Sequence, residues 1–106
     1  MTDLTELRKE IDRIDGEIVR LFEERMKISG QVAEYKIRTG KKVFDREREE
    51  SKIETLTGMA DSDFNRHGIE ELFRQIMAMS RKLQYQLLAK NGVAGRLPFI
   101  AVDDIE

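Results

Sequence analysis

A chain of 106 residues suffices for one small domain, but a few helices at that size bury only a modest core unless two copies share one. Charged residues make up 38% and sum to a net charge of -2, which speaks against nucleic-acid binding, because neutralising phosphates takes a clear basic excess. With no cysteine and His67 as the single histidine, disulfides, thiolate metal sites and histidine triads lack their residues; no segment has the apolar length of a membrane span, so the expectation is a soluble cytoplasmic protein.

The first predicted element is a long helix. Leu4, Leu7, Ile11, Ile14, Ile18 and Leu21, then Ile28, Val32 and Tyr35, follow one another at alternating steps of three and four, the period of a heptad seam. The pattern runs over about residues 4–38 and stops near Thr39-Gly40, where glycine can take the positive φ that ends helices. At ~1.5 Å per residue this helix is ~50 Å long, more than a compact monomer of this size can cover. The spacing therefore predicts that another chain covers the seam.

A basic loop, "RTGKKV", leads to Asp45, whose carboxylate can cap a second helix running to roughly Gly58 with sparse apolar positions at Ile53, Leu56 and Ala60. "DSDFNRHG" reads as a polar link carrying an exposed His67. A third helix follows, with Ile69, Leu72, Phe73, Ile76, Met77, Leu83, Leu87 and Leu88 on one face, running to about Lys90. No strand pattern occurs before residue 92, and the predicted class is all-α, with a helical domain over residues 1–90. The tail 91–106, "NGVAGRLPFIAVDDIE", reads as a tail or linker.

The informative residues interrupt these apolar patterns. Arg25 occupies the seam position between Leu21 and Ile28, and an unpaired buried charge is costly, so it needs an anionic partner or a polar cavity. Ser29, Val32 and Lys36 continue its face; Arg25 and Lys36, three turns apart, point the same way across ~16 Å. On the second helix Glu49 lies one turn before Ile53, with Arg48 beside it. On the third, Ser80 falls between Ile76 and Leu83, and Gln84 stands one turn on. If the three faces meet, they enclose a polar pocket with two cations, a carboxylate, an amide and a hydroxyl. Taken singly each residue has a plainer reading: Arg25 as a register-setting or snorkelling side chain, Ser80 as a small packing residue, Asp45 as an N-cap, Glu49 as a partner for Lys52 on a solvated face.

"LRKEIDRIDGEIVRLFEERMKISGQVAEYK", then "VFDREREE" and "LFRQIMAMSRKLQ", resemble the all-helical chorismate mutases, including those fused to prephenate dehydratase, over about residues 4–89. The family's polar pattern falls on Arg8, Arg25, Lys36, Asp45, Arg48, Glu49, Ser80 and Gln84. Met77 and Arg81 stand where aliphatic residues can occur in the family.

The resemblance implies an intertwined homodimer of three-helix protomers, each of two sites being completed by the other chain's first helix. The residues agree, since Arg8 lies seventeen positions before Arg25, about 25 Å along one helix, too far for one small ligand held by one chain. It also implies rearrangement of chorismate to prephenate in phenylalanine and tyrosine biosynthesis, with no cofactor and no metal. Lys36 and Gln84 would be the catalytic donors to the ether oxygen. Arg8, Arg25, Asp45, Arg48, Glu49 and Ser80 would bind substrate. Nucleic acid and membrane are not expected partners, and the tail leaves room for a fused prephenate dehydratase or dehydrogenase domain. Two other readings stay open: isochorismate-pyruvate lyase on a similar scaffold, and a non-enzymatic helical dimerisation module.

Overall fold

The computed structural model describes residues 3–91, which form three helices: α1 (Leu4–Thr39), α2 (Arg46–Thr57) and α3 (Asp63–Lys90). No strand occurs among the described residues, so the all-α expectation holds. Asp3 opens α1 by accepting from the Glu6 amide at 2.9 Å. Gly40 closes it at φ 72°, a left-handed conformation that suits glycine, with its N–H donating to the Lys36 carbonyl at 2.8 Å. Asp45 caps α2 as expected, accepting from the Arg48 amide at 3.1 Å.

The polar link before the third helix is not a link. Ser62 accepts from the Asn65 amide at 3.1 Å and starts α3 there, so "DFNRHG" forms its first turns and His67 sits, exposed, on the helix. Asp63 in the first turn suits the positive end of the helix dipole, and Gly68 costs only ~1 kcal/mol inside a helix. The reading of residues 91–106 as a tail falls, beyond Asn91, outside the described residues.

Both α1 and α2 pack on α3 and not on each other. The buried apolar residues are Ala33 of α1, Val43 of the connection, Ile53 of α2, and Met77, Tyr85 and Leu88 of α3. Val43, Tyr85 and Leu88 form one cluster with Ile37 against it. Arg74 adds a two-pronged exposed bridge from α3 to Glu50 of α2, at 2.9 and 3.2 Å.

That core leaves much of α1 unused. Every residue from Asp3 to Leu21 is exposed. The whole seam faces outward too, from 38% exposure at Val32 to 59% at Leu4. The described chain measures 60 × 25 × 21 Å with a radius of gyration of 17.2 Å. A compact domain of this length has ~13 Å. Among the described residues no helix is long and apolar enough to cross a membrane.

Candidate active site

Three helices and one connection meet around a cavity of about 320 Å³, the size of a small-molecule site. From α1 come Arg25, Ile28, Ser29, Val32 and Lys36; from the connection Val43 and Asp45; from α2 Arg48, Glu49 and Lys52; from α3 Met77, Ser80, Arg81 and Gln84. Helical geometry explains the α1 set, because positions four and eleven after Arg25 return to the same stripe. Of the eight residues singled out in the sequence, seven line this cavity. The eighth, Arg8, lies on the exposed amino-terminal half of α1, seventeen residues and about 25 Å from Arg25.

Five cationic side chains (Arg25, Lys36, Arg48, Lys52, Arg81) face the cavity against two carboxylates (Asp45, Glu49). The Lys36 ammonium donates to the Val43 carbonyl at 2.6 Å and keeps further donors for a ligand. Burial pulls its pKa below the ordinary 10.5, with Asp45 and Glu49 opposing the shift and Arg48 reinforcing it. Burial lowers Arg25 as well, opposed by Glu49 and reinforced by Arg48. Both cations are thus incompletely neutralised and partly desolvated, the condition in which an incoming anion is held most strongly.

A buried polar knot lies between α1 and α3. Ser29 and Ser80 share a short hydroxyl hydrogen bond, and Gln84 Nε2 donates to Ser29 Oγ at 3.1 Å and to Ser80 Oγ at 3.4 Å. Gln84 Oε1 is buried without a hydrogen-bond partner. A buried acceptor without a donor is costly, so this oxygen calls for one. Ser80 and Gln84 are thus hydrogen-bonded together with Ser29, which the sequence placed on the same face as Arg25 but not among the site residues.

Glu49 differs from its plainer reading. It makes no pair with Lys52; its Oε1 accepts from Arg81 Nη1, and the pair is mostly shielded from solvent. The Arg81 guanidinium carbon also lies 4.8 Å from the centroid of the Phe44 ring. Arg81, noted in the sequence with Met77 only as standing where aliphatic residues can occur in the family, was not among the eight site residues, yet it lines the cavity. The signal for it existed: Met77, Arg81, Gln84 and Leu88 follow at steps of four, three and four, which puts a guanidinium on an inward row just as Arg25 stands on α1.

Asp45 is the N-cap of α2 and lines the cavity as well, so its two readings are compatible. Together these groups could hold a small dianion by several cations while offering neutral and charged donors to its interior.

A family profile described as chorismate mutase type II matches residues 7–85. The bifunctional chorismate mutase/prephenate dehydratase of Buchnera aphidicola is 37% identical over 89 residues, covering 83% of this chain and 23% of that protein. The protein of the same description from Aquifex aeolicus is 32% identical over 91 residues, covering 82% and 25%. A chorismate mutase of Methanocaldococcus jannaschii is 31% identical over 90 residues, covering 80% of this chain and 87% of the relative. The chain thus spans about a quarter of the length of the two bifunctional relatives. No solved structure matches it.

Proposed function

The chain belongs to the chorismate mutase type II family, and we propose that it rearranges chorismate to prephenate in a site completed by a second copy of itself. The observation that carries this reading is the cationic cavity, with Lys36 and Gln84 contributed by different helices to its wall.

The rearrangement is unimolecular: an ether C–O bond breaks as a C–C bond forms. It calls for a substrate folded into its reactive conformer and for donors to the ether oxygen, where negative charge grows. Arg25 and Arg8 of a second copy take the two carboxylates through charge-assisted bonds, with Ser80 orienting one of them. Lys36 and Gln84 donate to the ether oxygen, a contact that strengthens toward the transition state. Glu49 accepts from the ring hydroxyl, while Asp45 and Arg48 position substrate and loop. A direct spectroscopic assay for chorismate loss and prephenate formation tests the reading; prephenate should accumulate, and a protein that leaves chorismate unchanged overturns it. Running isochorismate in parallel distinguishes the lyase reading, which requires salicylate and pyruvate instead.

Homodimerisation is supported by the exposed seam of α1 and by the distance of Arg8 from the cavity. An antiparallel second α1 would bury the seam and bring its own Arg8 back to Arg25. A small charged metabolite as substrate fits a cytoplasmic setting.

Gln84 has a specific task in this scheme. Its Nε2 is turned to Ser29 and Ser80 while Oε1 lacks a partner. Half a turn of the amide lets Oε1 accept from a serine hydroxyl and frees Nε2 for the ether oxygen. Gln84→Glu should therefore retain activity mainly at acidic pH, where a protonated carboxyl accepts and donates in the same places. A flat pH profile for that variant contradicts the contact.

Lys36 sets the alkaline side. Burial disfavours its charged form, so the proton leaves at a pH below the ordinary 10.5, and the donor goes with it. The kcat/KM of the wild-type protein should fall as pH rises through that lowered value. A profile flat up to pH 10.5 contradicts the assignment.

A further inference from the structure

Arg81 is the charged member of an α3 row whose other members, Met77, Gln84 and Leu88, are buried. Its side chain is only 16% exposed. One guanidinium nitrogen donates to Glu49 Oε1, the guanidinium lies over the Phe44 ring, and Nε is buried without a hydrogen-bond partner. A long side chain held from two sides in a lined cavity is a fixed object rather than a snorkelling charge.

We propose that Arg81 is a positioning residue for Glu49, taking one carboxylate oxygen so that the other alone is presented to the substrate's ring hydroxyl. The proposal rests on the mutase reading and deepens it. Two consequences follow from the geometry. Glu49 has several rotatable bonds, and pairing with a braced guanidinium removes the freedom that substrate binding would otherwise have to remove. Glu49 also lies within electrostatic reach of Arg25 and Lys36. Unrestrained, it could swing toward those cations and neutralise charge meant for the substrate's carboxylates and ether oxygen. Arg81 holds it on the α2–α3 side of the cavity.

A residue that acts through Glu49 on a hydroxyl that is not at the reacting centre serves ground state and transition state about equally, so its loss falls on KM. Arg81→Met removes the guanidinium at similar bulk. It should raise KM for chorismate about tenfold with kcat within about threefold. Arg81→Lys, which keeps a charge near Glu49 without the planar fork, should raise KM about threefold. In a Glu49→Gln background, either Arg81 substitution should change KM by less than about twofold, because the group being positioned is gone.

The proposal is overturned if Arg81→Met leaves KM within about twofold of wild type, or if its effect multiplies undiminished with that of Glu49→Gln, which would give Arg81 its own contact with substrate. Should Arg81→Met fail to unfold cooperatively on heating, the same cycle with Arg81→Lys decides: about threefold beside Glu49 and none beside Gln supports the proposal, and equal effects in both overturn it. Wild-type turnover of chorismate in the same assay separates the two claims. With turnover present, a failed cycle removes only the role of Arg81; without it, the mutase reading falls and this proposal with it.

Discussion

Lys36→Ala is expected to lower kcat on chorismate at least a hundredfold while helical content is retained. The magnitude follows from what such a site must supply. Even a ~10⁶-fold acceleration, at the low end for enzymes, takes ~8 kcal/mol, of which one preorganised donor contributes ~3 to 4 kcal/mol and restriction to the reactive conformer the rest. In the proposed scheme Lys36 is the donor that would bring a full positive charge to the ether oxygen, from a partly desolvated setting. The substitution spares the fold because α1 runs through this position and alanine is the best helix former. The cost to structure is the Lys36–Val43 hydrogen bond, worth ~1 kcal/mol, in the connection to α2. Circular dichroism and turnover on the same sample check both halves. Near-normal turnover would remove Lys36 from the chemistry.

Arg8→Ala is the second large effect, and the less intuitive one. In the single chain Arg8 is an exposed residue on the unpacked half of α1, far from the cavity. A surface substitution of that kind ordinarily changes stability by no more than ~0.5 kcal/mol and activity hardly at all. If a second copy brings Arg8 over Arg25, truncation leaves a substrate carboxylate without its guanidinium in a closed site, and kcat/KM should fall by about 10² or more. Arg25→Ala should cost as much by the same argument. Activity of Arg8→Ala within about twofold of wild type would confine the site to one chain.

Much of this was legible in the sequence, and the misses have physical causes. The ends of α1 and α2 could be read because Gly40 and Asp45 announce a positive φ and a carboxylate cap. The start of α3 could not be read from polarity, because polar residues on the exposed side of a helix look like a loop; the informative residue was Ser62, a cap seven positions before Ile69, where the predicted apolar face begins. The inward faces of the three helices brought six of the singled-out residues to one cavity, and Asp45 joins them as the cap of α2. What periodicity does not encode is which stripe touches which. The Glu49–Arg81 pair joins residues thirty-two apart, and the Ser29–Ser80 bond residues fifty-one apart, so both appear only when the helices are packed. The seam's exposure likewise indicates something about a single chain that its own helices do not satisfy.

Whether two chains close one cavity around a doubly negative substrate is tested with two inactive proteins. Arg8→Ala and Arg25→Ala are denatured together, refolded as an equal mixture and assayed for chorismate turnover. Random pairing makes about half the dimers mixed, and each mixed dimer holds one intact site, so about a quarter of the wild-type turnover per chain should return. A mixture no more active than its components would contradict the account.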